Sequence, residues 1–170
     1  MVDSATSERR RALQAAAVGV VLITGYAVAG TFQTLVWNPL AAVPGLTLEE
    51  IRAAMAKANE VLAGPLVLAW AGTGIVLAAL VPTAAQRGPG LRVSTVVRMD
   101  LLLLVLAAPS HWFASFPAGM GIADTFATTG GDHSRWGNLL YLVSAVAMVA
   151  LGVVVLLGRL RPPASRPAGP

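Results

Sequence analysis

Cysteine is absent from the chain, which excludes disulfides, thiolate metal sites, Fe–S clusters and a cysteine nucleophile. Charge is scarce. Only 12% of residues are charged, against roughly one quarter in soluble domains, so lipid is the expected solvent for most of the surface. Lysine is nearly missing: Lys57 stands alone beside eleven arginines, the usage of a GC-rich bacterial genome. There are two histidines, His111 and His133, so imidazole chemistry has only two places to sit. No P-loop, GxSxG, HExxH or GxGxxG in a strand–helix setting occurs, which removes the common nucleotide, hydrolase and zinc-protease signatures. No acid pair lies inside an apolar run. No two runs are broken at matching positions, as they often are in transporters.

What the chain has instead is apolar length. It is 56% hydrophobic over 170 residues, with a mean hydropathy of +0.71. A membrane span needs about 20 apolar residues at about 1.5 Å each. Residues 12–36 carry no charge and form the first candidate span. Spans at 61–81, 98–116 and 136–157 follow. The third has only 16 apolar residues from Leu101 to Phe116, so it reaches span length by starting at Arg98. The expected fold is all-α: a polytopic membrane protein, a bundle of four transmembrane helices with a short amphipathic helix on the outer side. Residues 1–11 read as a mobile tail, 12–158 as the membrane domain, and 159–170, with four prolines, as a disordered tail.

The first span also resembles a secretory signal. Arg9, Arg10 and Arg11 precede an apolar core, Ala27-Val28-Ala29 imitates a cleavage site, and Arg10-Arg11-Ala12-Leu13 hints at a twin-arginine signal. The apolar run continues through Leu35-Val36-Trp37, as an uncleaved anchor's would. Trp37-Asn38-Pro39 is expected to end this span, because Pro39 biases Asn38 away from helix.

Thr47-Leu48-Glu49-Glu50 is a capping box with Thr47 as N-cap. The helix it opens places Leu48, Ile51, Met55, Ala58 and Leu62 on one stripe, with Glu49, Arg52, Lys57 and Glu60 off it. Gly64-Pro65 is where this helix would bend into the second span. Gly72, Gly74 and Ala78 would let a neighbouring helix approach closely.

Basic residues flanking the spans set orientation. Arg9, Arg10, Arg11, Arg87, Arg92, Arg98, Arg159, Arg161 and Arg166 lie at one side; only Arg52, Lys57 and Arg135 lie at the other. Both termini are therefore expected in the cytoplasm of a cell bounded by its plasma membrane, with connectors 37–60 and 117–135 facing outward. The arginines are topology signals, so the pI near 10.7 points to the lipid bilayer and not to nucleic acid.

The stretch from Pro109 to Trp136 holds both histidines and most of the turn chemistry. Phe113, Phe116, Met120, Ile122 and Phe126 are too apolar for a solvated connector. Gly119, Gly121, Gly130 and Gly131 allow tight reversals. The stretch is expected to fold back over the outer ends of the helices, against the Leu48–Ile51–Met55 stripe, bringing His111, Asp124 and His133 near one another. His111 would lie about 7–8 Å below the outer end of the third span. There it is either a hydrogen-bonded interfacial histidine or a relay group. Ser110 and Ser115 would re-satisfy groups freed by Pro109. Asp132 or Ser134 could cap the fourth span. His111, Asp124, Asp132 and His133 form the one conceivable N/O metal set, but no ligand spacing supports it, so no cofactor or metal is assigned. Gln33 and Tyr26 could hydrogen-bond between helices. Asp100 reads as an interfacial charge, with Arg159 or an N-terminal arginine as its partner.

Three functional classes follow. The leading one is a non-enzymatic accessory or interaction protein, with a folded outer cap and either a larger membrane partner or its own copies. A small transporter or channel subunit would need His111, Gln33 and Tyr26 on one cavity. A membrane enzyme or metal-binding protein would need His111, Asp132 and His133 within reach of one another.

Overall fold

The computed structural model describes residues 2–87 and 92–160. They form six α-helices: α1 Val2–Phe32, α2 Asn38–Ala42, α3 Leu48–Lys57, α4 Gly64–Arg87, α5 Val93–Phe126 and α6 Arg135–Leu160. A π-helical turn, Gln33–Trp37, joins α1 to α2 without a break. Four helices are long and apolar enough to cross a membrane: Thr6–Ala42, α4, α5 and α6. Large apolar side chains such as Val21, Val76 and Val149 point outward from them, as lipid-facing positions do.

The helices run well past the apolar segments that mark them. Residues 2–11 of the expected mobile tail are instead the start of α1, because nothing in them breaks a helix. Pro39 does not stop the first span. It lacks an N–H and its ring crowds the carbonyl four residues back; the chain answers by widening to an i→i−5 bond from Asn38 N to the Gln33 carbonyl. Pro82 sits inside α4, and Pro109 and Pro117 inside α5. At 34 residues, α5 is about 51 Å long, against about 30 Å of hydrocarbon. Part of it must extend past the hydrocarbon. The expected connector 117–135 therefore shrinks to the eight residues 127–134, turned by Ala127 in the left-handed region (φ 54°). The expected tail beyond 160 lies outside the described residues.

α1 is the hub. It packs along α4 and α5, while α6 lies chiefly on α5. Three apolar clusters stack along the bundle. Ala12, Ala16, Val81, Ala85 and Val96 fill the end near the arginines. Ile23, Tyr26, Ala78, Leu104, Leu140 and Ala147 fill the middle. Ala42, Ile51, Met55, Leu62, Ala118 and Ile122 build a cap at the far end.

The capping box forms as read. The Thr47 backbone N–H and hydroxyl both donate to Glu50 Oε2, at 2.7 and 2.8 Å. The Glu50 N–H donates back to Thr47 Oγ1 at 3.3 Å. Ile51 and Met55 are fully buried, as the stripe requires, but Ala58 is the exposed C-cap. The chain then reverses through Asn59 and Ala63, both at positive φ, so α3 ends before α4 instead of bending into it. The expected fold-back of 109–136 is realised differently. Residues 109–126 continue α5, and only 127–134 turns back. Ile122 is buried in the cap, whereas Phe113, Phe116 and Met120 are exposed on α5.

Glycines mark the close approaches, though not those expected. Gly72 and Gly74 face open space. A β carbon on Gly119 would strike the Gly130 carbonyl, and one on Gly121 would meet Met55, Glu60 and Val61. These two glycines therefore serve helix contact with the cap, not chain reversal.

Candidate functional site

Polar side chains gather at the junction between bundle and cap. The π turn and α2 supply Gln33, Thr34 and Asn38, α5 supplies His111, the 127–134 segment supplies Asp132, and α6 supplies Tyr141. π turns recur at functional sites because they re-aim side chains. Here the turn leaves Gln33, Thr34 and Asn38 all buried in one short stretch.

His111 is 1% exposed. Its Nε2 lies 3.2 Å from the Gly30 carbonyl and 3.1 Å from Thr34 Oγ1. The Thr34 hydroxyl also donates to the Gly30 carbonyl, at 3.1 Å. A carbonyl only accepts, so Nε2 is the nitrogen that carries the proton. Nδ1 is then a bare lone pair, buried and without a partner among the described residues. The ring fits because Gly30 has no side chain; a β carbon there would meet both His111 and Trp70. Trp70 packs on the imidazole at 4.9 Å between centroids, and its Nε1–H donates to Ser110 Oγ at 3.0 Å. Ser110 in turn donates to the Leu106 carbonyl at 2.7 Å, and Ser115 to the Trp112 carbonyl at 3.2 Å. Both serines thus bond their own turn and not the Val105 carbonyl that Pro109 leaves without its helical donor.

Gln33 is equally buried. Its Nε2 donates to Asp132 Oδ1 at 3.2 Å, while its Oε1 has no partner among the described residues. This pair rests on Gly137 of α6, where any β carbon would collide with it. The Tyr141 hydroxyl faces the same carboxylate. Asn38 Oδ1 accepts the His133 N–H at 2.7 Å and the Ser134 N–H at 3.4 Å. Ser134 Oγ accepts the Trp136 N–H at 3.4 Å. The start of α6 is therefore capped by the expected Ser134 and not by Asp132, while Asn38, from 95 residues away, holds the two residues that lead into it. Trp37 and Trp136 pack at a tilt beside this joint, 5.2 Å between centroids.

His133 turns its ring outward, with Nε2 3.0 Å from the Thr129 carbonyl and 3.2 Å from its hydroxyl. Asp124 is exposed on the last turns of α5. The expected convergence of His111, Asp124 and His133 does not occur, because α5 stays helical through Phe126 and holds Asp124 away from the bundle. Among the described residues no three His, Asp or Glu side chains are grouped as metal ligands. Tyr26 lies deeper. Ser144 Oγ donates to the Leu104 carbonyl at 2.7 Å and sits 3.4 Å from the Tyr26 hydroxyl, which is free to donate to it. Tyr26 also lines an apolar cavity of about 290 Å³ with Trp70, Leu103 and Ser110, whereas Gln33 and His111 belong to the polar junction above.

A small polar pocket of about 90 Å³ opens over the junction, lined by Thr34, Asn38, Ser115, Asp132 and Tyr141 among others. Thr34, Asn38 and Tyr141 carry no motif. Their one sequence signal is polarity at the ends of charge-free runs, which Pro39 disguises as a helix stop.

No family model, curated protein or solved structure matches the chain.

Proposed function

We propose that this protein is a non-enzymatic accessory component of the plasma membrane of a GC-rich bacterium. Both termini lie in the cytoplasm, and a rigid cap is presented on the outer face to a larger membrane partner or to further copies of the chain. The observation that carries this reading is how the junction uses its polar groups. His111 bonds α1, Gln33 bonds Asp132, Asn38 bonds the lead into α6, and His133 bonds its own loop. The first three tie one element to another, and His111 Nε2 carries its proton toward the Gly30 carbonyl, so it is not set as a base for the Thr34 hydroxyl beside it. A relay or transport path would need His111, Gln33 and Tyr26 on one cavity, and Tyr26 lines a separate apolar one. The arginine asymmetry supports the orientation.

The test is the size of the native assembly. Tagged protein at its natural expression level is extracted in mild detergent and sized by native electrophoresis. A species larger than one 17.5 kDa chain in its micelle is expected, and Gly119→Val, which drives the 127–134 segment off α5, should deplete it. A wild-type chain that migrates alone, or an assembly indifferent to that substitution, refutes the reading.

A further inference from the structure

The other end of the bundle holds a polar group that the cap does not use. Asp100 on α5 is 7% exposed. Its carboxylate lies against the Cα of Gly19 on α1, in space that any β carbon would fill. Gly19 follows Arg11 by eight residues, so about 12 Å of helix separates the acid from the nearest arginine of the N-terminal cluster. Among the described residues Oδ1 has no hydrogen-bond partner and no cation pairs with the carboxylate. The nearby cations are directed elsewhere: Arg9 donates to the Gln86 carbonyl at 2.9 Å, and the Arg98 guanidinium lies against Gly158 of α6. The expected partnership with Arg159 or an N-terminal arginine is not formed.

Asp100 opens onto a groove of about 320 Å³ that includes Gln14, Val18, Gly19 and Leu22 of α1. That groove shares Leu22, Leu101 and Leu104 with a second one, about 600 Å³, between α1, α5 and α6. Together they make one apolar trough from Gln14 to Ala29 along α1, about 22 Å, most of the hydrocarbon thickness. A trough of that length suits a helix. A carboxylate at its arginine end is costly in lipid and marks a pairing site. An acyl chain leaves that charge unanswered, and a phosphate headgroup repels it. A lysine or arginine answers it, and its long stem can reach the acid from nearer the membrane surface.

We propose that this trough docks a transmembrane helix of a partner protein, whose lysine or arginine, in the membrane half that holds the arginine end of the bundle, pairs with Asp100. This adds a contact within the membrane to the one at the cap and rests on the accessory role above.

The experiment places a photo-crosslinking amino acid at Val18, exposed on the trough, at Val76, equally exposed on α4, and at Arg52 on the cap, in cells of the source organism. An adduct is expected at Val18 and not at Val76, joined to a membrane segment with a basic residue in the stated half. Asp100→Asn should lower its yield about tenfold, the scale of the stronger polar contacts between helices in lipid. Replacing the partner's basic residue with Leu should do the same while leaving this chain untouched. Gel filtration of the Asp100→Asn protein checks its fold. A lipid adduct alone, a segment without a basic residue, or a yield indifferent to the partner substitution overturns the docking proposal. Protein adducts at Arg52 without any at Val18 reject the trough and leave the accessory role standing. Absence of protein adducts at both rejects both.

Discussion

Ile51→Ala is the sharpest probe of the cap. Ile51 is fully buried on α3, packed with Met55 against Ala118 and Ile122 of α5. Truncating such a side chain costs about 2–5 kcal/mol, because neighbours relax only partly into the cavity. α3 is a separate ten-residue helix outside the four long apolar ones, so the loss should fall on local opening of α3 and not on the bundle. At 1.4 kcal/mol per decade, amide exchange through that opening should accelerate by at least about 25-fold. The assay is hydrogen exchange in nanodiscs. Residues 51–58 should speed up in the variant, while 67–81 and 140–156 keep their wild-type rates. Arg52→Ala, one residue along and exposed, should change little. If Ile51→Ala shifts exchange by less than threefold, or if the spans accelerate equally, α3 is not held as described.

Asn38→Ala should expose the His133 and Ser134 amides to exchange and weaken the lead into α6 by about 0.5–1.5 kcal/mol, the net worth of a lost hydrogen bond. Exchange at those amides matching wild type would argue against it. Glu50 carries a pH signature. The Thr47 backbone N–H, then the Thr47 hydroxyl, hold its carboxyl below the usual glutamate range. A depressed carboxyl stabilises α3 fully above that range, and the contribution is lost as pH falls through the lowered value. Acid should therefore loosen α3 in wild type, and Glu50→Gln should flatten the pH dependence of its exchange. For topology, cysteines placed at Thr47 and Thr128 should react with an impermeant thiol reagent on intact cells, and one at Gln86 should not. The reverse pattern inverts the orientation.

Apolar run length reveals the four spans, because hydropathy and membrane thickness constrain each other directly. It does not reveal helix length. Backbone hydrogen bonds continue through polar residues once a helix is anchored, so α1 begins nine residues before Arg11 and α5 runs ten past Phe116. Pro39 misled for the same reason. Pro39, Pro109 and Pro117 each cost a hydrogen bond, yet packing on neighbouring helices outweighs that cost. The capping box was legible because it is purely local. At the junction, His111, Gln33 and Asp132 stood out as polar groups in apolar surroundings. Their seats on Gly30 and Gly137 did not, since a glycine in sequence says nothing about which side chain occupies the missing β carbon. Asn38 was hidden by its own neighbour, Pro39.

The glycine seats on α1 also bear on the order in which the chain is built. Gly30 receives His111, made 81 residues later, and Gly19 receives Asp100. At about 5–20 residues per second of synthesis, the seat at Gly30 stays without its histidine for about 4–16 s after it leaves the ribosome. Trp70 arrives about halfway through that interval and can lie against Gly30 first. An α1–α4 pair made before α5 would have one notch that Trp70 can partly cover and the other open. Both notches close only when α5 enters the membrane. A chain interrupted before α5 would keep them open, giving the cell a structural mark by which unfinished copies differ from finished ones.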